Sequence, residues 1–121
     1  MSEQYFGYRD LRAYQHAKSF VVFVYSLIKS FPKEENYALC DQLRRACVSI
    51  SSNIVEGMSR TSTKEQLHFI EISYGSLCET MCQLEIAHEL HFIDDEQLRE
   101  AEERTTAIAQ MLSGLKRKRT M

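Results

Sequence analysis

A single proline, four glycines and no tryptophan in 121 residues leave little of the material from which turn-rich folds are made. An all-β chain needs a Gly- or Pro-bearing turn about every ten residues, so that class is excluded and helix is favoured. No apolar run approaches the roughly 18 residues that a membrane-spanning helix requires. The longest candidate is Phe20 to Tyr25. The opening Met-Ser-Glu-Gln-Tyr shows no basic segment leading into an apolar one, so no secretory signal is expected and a cytoplasmic location is predicted.

Net positive charge is also lacking. Taking the four cations of the Lys116-Arg117-Lys118-Arg119 run away from the formal charge of -2 leaves -6 for the rest of the chain. Attraction to nucleic acid must therefore come from a local patch, and that terminal run is the candidate nucleic-acid contact. The plainer account of the same run is that it offsets a helix dipole. The four cysteines, Cys40, Cys47, Cys78 and Cys82, fall inside helical patterns, unlike a disulfide framework, and are expected to be reduced.

What is present is a globular balance, 44% hydrophobic and 26% charged, in a length that suits one domain over residues 1–121. Frayed ends are expected at about 1–8 and 117–121. Helical periodicity sets four helices near 10–31, 34–57, 63–91 and 94–117. The first opens at Asp10 as N-cap and spaces Leu11, Tyr14, Ala17, Val21, Val24, Ile28 and Phe31 by threes and fours. Its segment Phe20 to Ile28 is apolar on nearly every side, which predicts that more than one face is covered. The second follows Pro32, carries Leu39, Leu43, Cys47, Ile50 and Ile54, and is expected to stop at Gly57.

Ser62 or Thr63 caps the third helix, whose seam is read as Leu67, Ile70, Tyr74, Leu77, Met81 and Leu84. Asp94 and Asp95 start the fourth, with Leu98, Ala101, Thr105, Ile108, Leu112 and Leu115. The predicted fold class is all-α, an antiparallel up-down four-helix bundle. Its expected core is Leu43, Ile50, Ile54, Leu77, Met81, Leu84, Ile108 and Leu112.

Reactive chemistry is thinly represented. Glu65-x-x-His68 and Glu85-x-x-His88 match di-iron spacing but lie on one helix about 30 Å apart, too far to converge. The cysteines sit one and two turns apart within their helices, looser than the usual zinc turns. No phosphate loop, nucleophile elbow or zinc-protease helix occurs. No catalytic residue, cofactor or metal is assigned. The informative feature is a polar stripe on the second helix, Arg45, Ser49, Ser52, Asn53, Glu56 and Arg60, at steps of three and four. It reads as a solvated face or as an intersubunit contact that fixes partner choice. On the third helix, Gly75 costs about 1 kcal/mol against alanine, so close backbone approach by another helix is expected beside Ser76 and Glu79.

The run QLRRACVSISSNIVEG from Gln42 to Gly57, with Phe31-Pro32, Arg60 and Gly75-Ser76-Leu77-x-Glu79, resembles the four-helix-bundle proteins encoded in intervening sequences of bacterial 23S ribosomal RNA genes. The resemblance spans Tyr8 to Leu115, with Ser51 where the family commonly has proline. It implies a ring-like homo-oligomer, expected to be a pentamer, without catalytic residues. Arg45, Ser49, Asn53, Glu56, Gly57, Arg60, Gly75, Ser76 and Glu79 are then the motif or oligomer-interface positions. The accessory variability determinants of diversity-generating retroelements resemble the family in fold and work with a reverse transcriptase, but they are basic where this chain is acidic. The leading expectation is a non-enzymatic oligomeric scaffold whose partner is RNA or a nucleic-acid enzyme. The alternative is a bundle that binds a metal or small ligand, with an enzymatic role.

Overall fold

The computed structural model describes residues 6–120. Four helices account for most of them: α1 (Arg12–Ile28), α2 (Leu39–Ser59), α3 (Thr63–Glu89) and α4 (Asp95–Thr120). No strand occurs among the described residues. Short 3-10 turns at Gly7–Asp10 and Lys33–Glu35 precede α1 and α2.

Packing is pairwise around one core. α2 lies against α1 and α3, and α4 lies against α3 and α1, the α2–α3 pairing being the most extensive. Phe20, Val24, Leu43, Ile50, Ile54, Ile70, Leu84, Ile108 and Leu112 fill the centre with almost no exposed surface. Of the eight predicted core residues, seven are buried and Met81 packs against the cluster half-buried.

The boundaries differ from expectation for identifiable reasons. Asp10 belongs to the 3-10 turn and does not cap α1; Leu11 occupies the N-cap position without a side-chain bond. α2 begins five residues later than position 34, because Lys33–Glu35 winds as a 3-10 turn and Ala38 at φ -120, ψ -102 interrupts helical geometry. Gly57 does not stop α2, which runs on to Ser59. The glycine serves packing instead: a Cβ there would stand 3.2 Å from Phe69 Cβ and 3.4 Å from the Gln66 carbonyl. At the other end α4 is wound as far as Thr120, three residues past the expected 117. Of the predicted N-terminal fraying, residues 1–5 lie outside the described residues, while Gly7 and Tyr8 are wound into the first turn.

Two boundaries follow their sequence signals closely. The Ser62 hydroxyl accepts from Glu65 N–H at 3.1 Å, satisfying an orphan donor of α3. Asp94 and Gln97 exchange side-chain-to-backbone bonds of 2.8 Å each, a reciprocal cap for α4. Between them, α3 ends with His91 at φ 65, Phe92 N–H on the Ala87 carbonyl and His91 N–H on the His88 carbonyl, the Schellman arrangement with histidine where glycine is usual.

Candidate functional site

Of the motif positions, Ser49, Asn53, Gly57 and Ser76 gather along the junction of α2 and α3. Ser49 and Ser76 face each other with hydroxyl oxygens 2.8 Å apart. The Asn53 amide donates to both the carbonyl and the hydroxyl of Ser49, at 2.8 and 2.9 Å. Ser73 donates to the Ile50 carbonyl at 2.8 Å, and Thr80 to the Ser76 carbonyl at 2.8 Å. Gln83 reaches Gln42 and Glu79, both at 3.4 Å, while its own side-chain oxygen is buried without a partner.

This polar seam overturns part of the α3 reading. Tyr74 is 47% exposed, whereas Ser73, Ser76, Thr80 and Gln83 are buried. Small hydroxyl residues allow two backbones to approach, and each buried hydroxyl bonds a carbonyl or another hydroxyl, which removes the cost of hiding it. The expected close approach at Gly75 is absent within the chain, since nothing lies within 4 Å of a Cβ built there. Of the glycines, it is Gly57 that has the neighbouring helix close to where a side chain would stand.

The charged members of the stripe have partners in their own helix. Arg45 pairs with Asp41 at 3.2 Å and Arg60 with Glu56 at 3.0 Å, all four side chains well exposed. Such i,i+4 pairs contribute about 0.3–0.5 kcal/mol each. The Arg60 guanidinium also lies 4.9 Å from the Phe69 ring centre, tying the end of α2 to the start of α3.

The basic run divides into two classes. Arg119 bonds the Gln66 side-chain oxygen at 2.9 Å and the Leu115 carbonyl at 3.0 Å, so it clasps the α2–α3 turn. Lys116 stands 3.9 Å from the Glu71 carboxylate. Arg117 and Lys118 are exposed and carry no ion pair among those observed.

The cysteines do not converge either: Cys40 and Cys47 are buried, Cys78 and Cys82 exposed, and all four are free thiols. Burial pushes the Cys47 thiol up to about 11 and raises Cys40 as well, so neither is an activated nucleophile. Among the described residues no group of three or more His, Cys, Asp or Glu is arranged to hold a metal ion. At the α3–α4 turn His88 and Asp95 meet at 2.7 Å, and that hydrogen bond lowers the Asp95 pKa, helped by the charges of His88 and Arg99. No helix is long and apolar enough to cross a membrane among the described residues.

What the arrangement offers is a surface. The α2–α3 seam is closed by internal bonds, and outward of it Ile72 and Ile86 are 37% and 46% exposed. Periodicity in the sequence located the polar stripe but missed Ser73, Thr80 and Gln83; the signal available was their recurrence with Ser76 at steps of three, four and three on α3.

No curated protein matches the chain. A solved structure that it resembles is a protein of unknown function from the S23 ribosomal protein family of Bacteroides thetaiotaomicron, with TM-score 0.79 at 22% identity, covering 86% of this chain and 97% of the other. At that identity the likeness establishes the fold alone. The family described as 23S rRNA-intervening sequence protein matches residues 9–114, nearly the whole length, and the chain belongs to that family.

Proposed function

We propose that this chain is a non-enzymatic, cytoplasmic scaffold, an antiparallel up-down four-helix bundle that assembles into a ring of identical copies and presents that assembly to a partner. The reading rests chiefly on apolar side chains left uncovered on helix surfaces: Val22 on α1 is 67% exposed, and Ile72 and Ile86 share the outer side of α3. Apolar residues recurring along a helix stripe mark contact surfaces more often than isolated ones do. The up-down order is supported by pairs that rise along α2 as they fall along α3, from Gln42 with Gln83 to Ser49 with Ser76. Five copies is the subunit number carried over from the family resemblance.

The partner class proposed is RNA or an enzyme acting on it, and a ring favours this by multiplying Arg117 and Lys118 into a larger cationic surface. Binding of that kind weakens steeply with salt, because each neutralised phosphate releases counterions. Light scattering on a size-exclusion column tests the assembly: a mass several times 14.1 kDa supports it, and a single-chain mass at micromolar concentration removes it. Titration of labelled structured RNA at low salt tests the partner class. The comparison is wild type against Arg117→Ala with Lys118→Ala, and equal binding by both, or by neither, removes the tail from the account.

A further inference from the structure

The outer side of α1 carries a row with the spacing of a packing seam and nothing packed on it. Lys18, Val22, Tyr25 and Lys29 follow at steps of four, three and four, so they share one stripe. Val22 is 67% and Tyr25 40% exposed, while Ala13, Ala17, Phe20 and Val24 bury the opposite side. α1 contains no carboxylate from Arg12 to Ile28, so the row is apolar with cationic ends.

α3 carries the complementary row. Ile72, Gly75, Glu79, Cys82 and Ile86 alternate steps of three and four, and all are exposed. Glu79 supplies the opposite charge, with Glu71, Glu85 and Glu89 also exposed on this helix. At Gly75 the backbone is bare, with open space where a side chain would stand. A mid-helix glycine costs about 1 kcal/mol, and nothing within the chain makes use of it.

α1 and α3 each pack against both α2 and α4, so they occupy diagonal corners of the bundle and their exposed rows lie at separate places on its surface. Resting on the reading that the chain self-associates, the geometry points to a head-to-tail contact in which the α1 row of one copy seats on the α3 row of the next. Val22 and Tyr25 meet the apolar and bare positions of α3, and the lysines that flank them meet its carboxylates. A period of 3.5 residues on both rows keeps two helices in register along the roughly 25 Å of α1.

Charge decides against the symmetric alternatives. Joining α1 to α1 sets lysine against lysine, and joining α3 to α3 sets Glu79 among the carboxylates of a second acidic helix. Like charges facing across an interface disfavour it. A contact between two different faces leaves one of each kind free on every pair, so copies add one after another, and the series closes into a ring where the rotation of the contact brings the last copy back to the first.

Two full-length variants test the assignment. Val22→Asp with Tyr25→Asp breaks the α1 row, and Gly75→Leu with Ile86→Asp breaks the α3 row. The four positions are exposed, so helical circular dichroism and a cooperative melt should persist in both variants. By light scattering each variant alone should fall to the mass of one chain. Their equimolar mixture at high micromolar concentration should form a pair and nothing larger, because only one intact α1 row and one intact α3 row remain to meet. Either variant keeping the wild-type mass, or the mixture remaining single chains, overturns the head-to-tail contact. A wild-type chain that is itself single sinks the self-association, and this contact with it.

Discussion

The hydroxyls of Ser49 and Ser76 meet at 2.8 Å across the junction of α2 and α3, with the Asn53 amide donating to the same Ser49 oxygen at 2.9 Å. Three polar side chains thus satisfy one another inside a helix contact that hydrophobic pattern alone would fill with leucine. The bond fixes the register of the two helices as a buried polar pair does in a coiled coil.

Ser49→Ala and Ser76→Ala should each cost about 1 kcal/mol, since the first leaves the Ser76 hydroxyl without its partner and the second leaves Ser49 bonded to the Asn53 amide alone. The double variant should cost clearly less than the two together. Urea unfolding of the four species measures this, and additivity within about 0.3 kcal/mol would show that the two hydroxyls do not interact.

The two helical glycines of the motif should respond in opposite ways. Gly75→Ala gains helix propensity without meeting anything and should stabilise the chain by about 0.5–1 kcal/mol. Gly57→Ala gains the same propensity, but its Cβ would stand 3.2 Å from the fixed Cβ of Phe69, so α3 must shift. It should be the less stable of the two by 1 kcal/mol or more, on the scale of overpacking costs of about 1–3 kcal/mol. Thermal melts in a Val22→Asp, Tyr25→Asp background keep assembly out of the comparison, and equal gains at both glycines would refute the steric argument.

How far the fold could be read from the sequence follows from these same residues. Leu43, Ile50, Ile54, Leu84, Ile108 and Leu112 repeat with the helical period and are buried where that period puts them. Ser62 and Asp94 announce their helices because capping is local chemistry. Tyr74 fits an apolar seam by spacing yet is exposed, because the buried face of α3 uses Ser73, Ser76 and Thr80. Ser73 and Ser76 find their partners on α2 while Thr80 bonds the Ser76 carbonyl one turn back, and periodicity carries no record of the partners on another helix. Gly57 has the same origin: as a stop signal it is local, but its role here is set by Phe69, twelve positions away.

Arg119 should matter for stability and Arg117 should not. Arg119→Ala loses bonds to Gln66 and Leu115 and is expected to cost about 1–2 kcal/mol, whereas Arg117→Ala should stay within about 0.5 kcal/mol. For the same reason a chain cut after Leu115 would confound loss of cations with loss of a clasp. Equal stability of the two point variants in guanidinium would show that Arg119 is merely a surface cation.

Thiol labelling should sort the cysteines by environment. Cys78 and Cys82 should react with an aromatic disulfide reagent in the folded protein, and Cys40 and Cys47 only after unfolding. With its pKa pushed to about 11, Cys47 holds roughly one thiolate in ten thousand at neutral pH. In the proposed assembly Cys82 lies within the contact row, so it should label more slowly at high protein concentration than in the Val22→Asp, Tyr25→Asp variant. Four thiols reacting at one rate in the folded chain would contradict the burial pattern.

The His88–Asp95 contact predicts a definite acid dependence. His88 sits in the last turn of α3 and Asp95 in the first turn of α4, and their 2.7 Å bond joins the two ends across the turn. That bond, assisted by the charges of His88 and Arg99, holds the Asp95 carboxyl below its ordinary 3.8. A carboxyl lowered by folding binds fewer protons in the folded state than in the unfolded one. It therefore stabilises the fold above its ordinary pKa and loses that contribution as pH falls through the folded value. Wild type should then melt above Asp95→Asn at about pH 5, and the gap should close by about pH 2. Asp95 also sits at a helix N-terminus, where aspartate is favoured over asparagine by the dipole alone. Repeating the comparison in a His88→Gln background separates the two, because only the bridge disappears with the histidine. The Asp95 side chain is 89% exposed, so the gap should be modest and should shrink in about 0.5 M salt. A gap that stays constant from pH 5 to 2, or that survives unchanged without His88, would mean that the contact does not contribute to holding α3 and α4 together.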